Sequence, residues 1–311
     1  MSTGWVAGSV RATALARRRV GAARARAVAS AADLDEALSI LVSTPYGHEV
    51  RVDQTLAEAQ QAVASSLLWH LRVLAGWVPR QGTDLVRTLA AGFEVANVDE
   101  HLHTLAGGSA DPPFRLGTLA TAWPRLARTG SVADVRATLT ASGWGDPGGD
   151  TAAAVRVGMR LAWMSRVAAA VPPAAAWAAG AAALLVARET QGGRRPLTDP
   201  QRLTAEPLLG SGWAGAAHTL PDLAAALPPL ARWAVAGVER PEDLWQAEAA
   251  WWRRVEHDGF GLLRRGGFSD TPVIGAVAVL AADAWRVRAA LEVAARPEVD
   301  AVAMGAFDAV V

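Results

Sequence analysis

The chain has 311 residues, with 30 basic and 30 acidic side chains, a formal net charge of zero and no cysteine. That length buries a sizeable core and is enough for about two domains. The charge balance argues against a dedicated nucleic-acid binder, which carries a basic excess, and the missing cysteines exclude disulfides and thiolate metal sites. Every basic side chain of the Lys/Arg pair is arginine, Asn97 is the only asparagine and Tyr46 the only tyrosine. In a chain this rich in Ala, Arg and Gly, those two rare residues carry more information than the common ones.

Good helix formers dominate, and alternating β-branched runs are nearly absent; His48–Val52 comes nearest. The expected fold class is all-α, with helices over 4–28, 31–42, 53–77, 84–105, 116–128, 132–141, 151–170, 174–189, 200–209, 220–236, 241–257, 273–295 and 298–308. Arg17, Arg18 and Arg19 stand where the apolar core of a signal peptide would lie, so the first helix is not read as one. With Arg11, Arg24 and Arg26 they give it a basic face, which is either solvated or turned to an acidic partner or a lipid surface. Breaks fall at Gly107-Gly108 with Pro112-Pro113, at Asp146–Gly149, at Gly192-Gly193 with Pro196, and at Gly266-Gly267 with Pro272. The uncharged run Val167–Ala187 is mostly Ala and is split by Pro172-Pro173. A buried core helix fits it better than a membrane span.

A pattern recurs along the chain. Ser30–Leu34, Ser131–Val135 and Thr219–Leu223 each read hydroxyl-x-x-Asp-apolar, with Leu four positions further on. A hydroxyl at the helix start can accept a free backbone N–H, and the Asp favours the positive end of the helix dipole. After the first two come Thr44-Pro45-Tyr46-Gly47 and Ser142-Gly143-Trp144-Gly145, each an aromatic-Gly stop. Ala91-Gly92-Phe93 through Gly108 is more distantly like Ala175-Ala176-Trp177 through Gly192. The repetition predicts three related helical units, over about 1–110, 111–195 and 196–311.

Sites of chemistry are sparse. Gly210–Gly215 matches a dinucleotide fingerprint as a string, but Glu206–Leu209 before it is no strand. Glu100 and His103 have the Glu-x-x-His spacing of a carboxylate-bridged metal site, with Asp99 on the helix face of His103, yet no other histidine has Glu three residues before it. His257-Asp258 is read as a helix C-terminus. Trp251-Trp252 could stack a ligand, though tryptophan usually packs in cores and interfaces. No nucleophile elbow or phosphate loop is present.

Three stretches carry a resemblance. They are Trp5–Ala12, Leu38–Gly47, and Leu89–Asn97, and together they resemble the C subunit of V/A-type rotary ATPases, whose eukaryotic counterpart is subunit d. Near the end, Pro272–Gly275 and Asp283–Arg288 are similar to the last long helix of that family. Glu94 stands where the family usually has Asp, Asp99 where a basic residue is common, and Arg286 in place of an Asn. The resemblance implies an all-α funnel of three related units with no catalytic residue, cofactor or metal. It implies a stalk adaptor between the rotor axle and the membrane ring of proteolipid subunits, coupling them for proton or sodium transport. The chain would be cytoplasmic, held at the membrane by partner subunits without inserting, and would bind no nucleic acid. Tyr46, Gly47, Phe93, Asn97, Asp283 and Arg288 would form its structural motif, with Arg11, Arg17, Arg18 and Arg19 as interface. The alternatives are a helical enzyme with a metal on Asp99, Glu100 and His103, and a helical-repeat module for another protein.

Overall fold

The computed structural model describes residues 3–109, 111–193, 195–216, 218–296 and 307–308. The expected helix over 298–308 therefore lies almost wholly outside the described residues. Within them the chain is all helical, with no strand. In chain order the α-helices are α1 (Thr3–Arg17), α2 (Gly21–Ala29), α3 (Leu34–Val42), α4 (Leu56–Ala75), α5 (Arg80–Ala90), α6 (Gly92–Leu105), α7 (Trp123–Leu126), α8 (Val132–Thr140), α9 (Ala152–Ala170), α10 (Ala175–Ala187), α11 (Asp199–Leu209), α12 (Trp213–Ala216), α13 (Leu220–Ala226), α14 (Pro229–Arg232), α15 (Leu244–Arg265) and α16 (Thr271–Ala294).

These helices form two compact units, residues 1–86 with 252–311, and residues 87–251. In the first, α16 returns from the far end of the chain to pack on α1, α2 and α4. Val, Ile, Leu and Ala surround it on every side, and 18 of its 24 residues are buried, as befits a helix with no polar face to turn outward. In the second unit, α9 is shared by two apolar clusters. Val155 and Met159 face α6, α7 and α8; Val157 and Leu161 face α10, α11, α13 and α14.

Most departures from the expected helix ends have a local cause. The helix expected over 4–28 is broken before Gly21, which has φ +76°, because the N–H groups of Val20 and Gly21 are held by a carboxylate. The one expected over 84–105 is broken at Ala91. There the indole of Trp163 covers Gly92, and its Nε1 donates to the Thr88 carbonyl at 2.9 Å. The segment 116–128 keeps only a 3-10 turn at Gly117–Leu119 and the short α7. Pro228 ends the helix expected over 220–236, having no N–H to give. The helix expected to stop at 257 runs on to Arg265. The Ser30–Asp33 start is displaced by three residues. Ser30 closes α2, Asp33 caps α3 by accepting the Glu36 N–H at 2.9 Å, and Glu36 reaches back to the Ala32 N–H. Ser131 and Thr219 cap α8 and α13 as their sequence suggests. The apolar run 167–187 bends through a 3-10 turn at Pro172–Ala174, and α10 is buried. No helix among the described residues is long and apolar enough to cross a membrane.

Helix α16 meets α15 at a glycine contact. A Cβ on Gly275 would stand 2.6 Å from the Gly259 carbonyl oxygen and 3.0 Å from the Leu262 Cβ. Replacing an exposed helical Gly by Ala normally gains about 1 kcal/mol of propensity, but overfilling a packed contact costs roughly 1–3 kcal/mol. The obstacle here is backbone, which cannot swing aside, so Gly275→Ala should lower the melting temperature. Gly261→Ala, on the same helix as Gly259 with nothing within 4 Å, should raise it slightly; thermal melts followed by circular dichroism read both.

Candidate functional site

The residues singled out at opposite ends of the sequence meet in the first unit. Asp283, 1% exposed in the middle of α16, is surrounded by donors. Its Oδ2 accepts the Val20 N–H at 3.0 Å and the Tyr46 hydroxyl at 3.1 Å, and its Oδ1 accepts the Gly21 N–H at 2.7 Å. The carboxylate thus closes the start of α2, where free N–H groups and the dipole favour negative charge. The Thr44 hydroxyl donates to the Leu41 carbonyl and accepts the Tyr46 N–H, which turns the chain sharply after α3 and aims the ring inward. Gly47 has to be glycine, since a Cβ there would run into the Val42 carbonyl. Arg286 stands 3.8 Å from Asp283 and forms a two-pronged pair with Glu256. Burial lifts the Asp283 carboxyl above the usual carboxylate range. The Gly21 and Val20 N–H groups, the Tyr46 hydroxyl and the Arg286 charge pull it back. Burial, then the Asp283 charge, push the Tyr46 phenol well above its usual value.

The second unit builds the same device from other residues. Glu94, fully buried on α6, accepts the Thr121 N–H at 2.7 Å and the Ala122 N–H at 2.5 Å, and so closes the start of α7. The Trp144 indole N–H points to the same carboxylate at 3.3 Å. The Ser142 hydroxyl donates to the Leu139 carbonyl and accepts the Trp144 N–H, as Thr44 does for Tyr46. The Arg166 guanidinium lies 4.8 Å above the Trp144 ring. One turn along α6, the Asn97 amide donates to the Phe114 carbonyl at 3.0 Å and accepts the Phe114 N–H at 2.7 Å. Phe93 meets the Phe114 ring edge-on at 5.1 Å. Residues 114–122 are thus strapped to α6 at both ends.

The remaining candidates separate. Asp99 is paired with Arg160 at 2.5 Å and Arg156 at 3.5 Å. With Glu100, His103, Ser109, Asp111 and Arg156 it lines an open cleft of about 370 Å³. Among the described residues no group of three His, Asp or Glu side chains is arranged to hold a metal. Gly210, at φ +73°, ends α11, so the fingerprint-like string follows a helix. His257 and Asp258 lie inside α15, not at its end, and Asp258 pairs with Arg254. Trp251 donates to the Trp177 carbonyl, and Trp252 stacks on Trp285. Of the basic residues of α1 and the turn after it, Arg11 lies over Trp77 and Arg19 over Phe260, leaving Arg17 and Arg18 exposed. Arg288 reaches Gln60 at the surface and takes no part in the carboxylate cluster, where the cation is Arg286. The sequence reading missed Glu94 as the partner of Trp144. A single acid inside a helix followed by Asn97 was its only signal.

Asp283→Asn keeps the shape but turns an amide N–H₂ toward donors. It should cost roughly 1–3 kcal/mol through unmet hydrogen bonds, and Tyr46→Phe should cost about 1 kcal/mol. Urea melts of the two single variants and the double variant test this, and additive losses would mean that the pair does not act together. Asn97→Ala leaves both polar groups of Phe114 without their partner and should cost roughly 1–3 kcal/mol; an unchanged melting temperature would show that the strap carries no stability.

The chain matches no protein-family model and no curated protein.

Proposed function

We propose that this chain is a non-catalytic adaptor in the central stalk of a V/A-type rotary ATPase. It joins the rotor axle to the membrane ring of proteolipid subunits, so that torque passes to proton or sodium transport. The observation that carries the reading is the convergence of Tyr46, Gly47 and Asp283. These three lie in the stretches that carry the family resemblance, and Tyr46 bonds Asp283 across 237 positions of sequence. Glu94 and Trp144 build an equivalent cluster in the second unit. A part that transmits torque needs helix ends that do not slip. A buried carboxylate held by two backbone N–H groups and a ring donor supplies such a joint, because releasing it leaves a charge unpaired in a low-dielectric interior.

On this reading the segments 1–110, 111–195 and 196–311 are three related units. The chain works at the cytoplasmic face and is held there by its partners. The lack of a membrane-crossing helix among the described residues fits attachment through other subunits. The rival reading, a metal enzyme at Asp99, gains little from the cleft there, since Asp99 already faces two arginines.

Affinity purification of the tagged chain from its own membranes in mild detergent tests the proposal. The expected result is co-purification of rotor-axle and proteolipid subunits in fixed ratio. Deletion of the gene should uncouple ATP hydrolysis from ion pumping while the catalytic head still hydrolyses ATP. Recovery without any rotary-ATPase subunit, or ion pumping unaffected by the deletion, would overturn it.

A further inference from the structure

The first unit carries an exposed apolar strip that the fold does not use. Val6 and Val10, 39% and 60% exposed, lie four apart on the outer face of α1, which continues through the exposed Ala14 to Arg17. One flank of this face is Trp77, 51% exposed, whose ring is held by the Arg11 guanidinium at 5.6 Å. The close approach of Gly8 to the Trp77 carbonyl and Val78 fixes that flank. The other flank is Phe268, 44% exposed, next to Ser269, whose carbonyl accepts the Ser9 hydroxyl at 3.2 Å. From Val6 to Arg17 the strip is about 16 Å long at the helical rise, or three turns.

The rim of the strip is basic. In sequence, the exposed Arg17 ends α1 and the exposed Arg18 follows it, exposed Arg72 and Arg80 stand on either side of Trp77, and exposed Arg264 and Arg265 precede Phe268. None of these six has a carboxylate partner among the described residues. The only acids in 3–18, 72–84 and 264–271 are Asp84 and Asp270. In a chain of zero net charge, this is a local positive frame around an apolar centre. The field also reaches inward: burial first, then the Arg18 charge, hold the nearby His70 imidazole down at about 4.

We infer that this strip docks an amphipathic helix of a partner protein, about three turns long, with apolar residues at i, i+3/i+4 and i+7 and with Asp or Glu on both flanks. A helix laid along α1 would place its apolar side chains between Trp77 and Phe268 and its acids against the arginines. An anionic membrane would meet the same charges. It would be offered only two valines and two half-covered rings, all fixed in packed elements, which is a small apolar face for interfacial insertion. The inference deepens the adaptor reading by assigning it a contact surface, and rests on that reading only for the identity of the partner.

The test replaces Val10 by photoreactive p-benzoylphenylalanine in the full chain, in its own cells, and identifies the cross-linked peptide by mass spectrometry. The expected adduct is a peptide with apolar residues at helical spacing and acidic flanks. It should fall at least tenfold in Arg17→Glu/Arg80→Glu, with the melting temperature unchanged, and recover in Arg17→Lys/Arg80→Lys. An adduct that survives charge reversal, an adduct with a second copy of this chain, or an adduct with a peptide lacking acidic flanks overturns the inference. So does the absence of any protein adduct, and so does co-sedimentation of the pure protein with phosphatidylglycerol vesicles that Val10→Glu abolishes. An acidic-flanked peptide from a protein outside any rotary ATPase keeps the docking surface and removes the adaptor reading. Co-purification with rotary-ATPase subunits but no adduct at Val10 does the reverse.

Discussion

A helix that starts inside a protein brings several backbone N–H groups with no partner, and an apolar neighbour cannot satisfy them. Both units meet this constraint with a carboxylate contributed by another helix. Asp283 closes the start of α2, and Glu94 closes the start of α7. Each carboxylate then needs a further donor, and each receives one from the ring of the residue two places after a hydroxyl turn, Tyr46 or Trp144. The aromatic is therefore fixed at both ends, by its backbone to the preceding hydroxyl and by its ring to the acid. Through Asp283, the end of the chain is tied to its beginning. The break before Gly21 and the ring of Tyr46 both meet that one side chain.

Around these polar centres the packing is made of small residues. Gly lets backbone meet backbone, as Gly275 of α16 does with the Gly259 carbonyl of α15, and Gly158 of α9 with the carbonyl of Pro147 in the loop before it. Such contacts gain little from the area of any one side chain, so close fit and correct register matter more than bulk. Tryptophan supplies the bulk where a gap is wide. Trp163 fills the break between α5 and α6, and Trp233 and Trp251 approach α10 at Gly180.

The same economy shapes the surface. Some charged side chains form ion pairs that offset one another, such as Arg136 with Asp146 and Asp150, or Arg240 with Asp243. The outer face of α1 carries the exposed Val6 and Val10, and the exposed Arg17 ends the helix. Charges that a fold has not neutralised itself can add specificity to a contact with another molecule.

The sequence by itself determined the helical class and the capped starts of α8 and α13, because capping chemistry acts between residues two to four apart. It also marked Asn97 and Tyr46, through their rarity, as residues with specific partners. It placed Asp283 in the last long helix without showing what the carboxylate holds. It read Arg11 to Arg26 as one basic face of one helix, which the structure divides between α1, a turn and α2. Only the tertiary structure decided that Asp283 meets Tyr46 and the start of α2, that Arg286 and not Arg288 is the cation beside it, and that Arg11 and Arg19 turn onto aromatic rings while Arg17 and Arg18 stay outside. It moved the first cap from Ser30 to Asp33 as well, where two hydroxyl or carboxylate choices stand three residues apart and local chemistry permits either. These outcomes depend on which distant segment fills the space beside a residue. No spacing along the chain encodes that, because the bond from Tyr46 to Asp283 spans 237 positions of sequence.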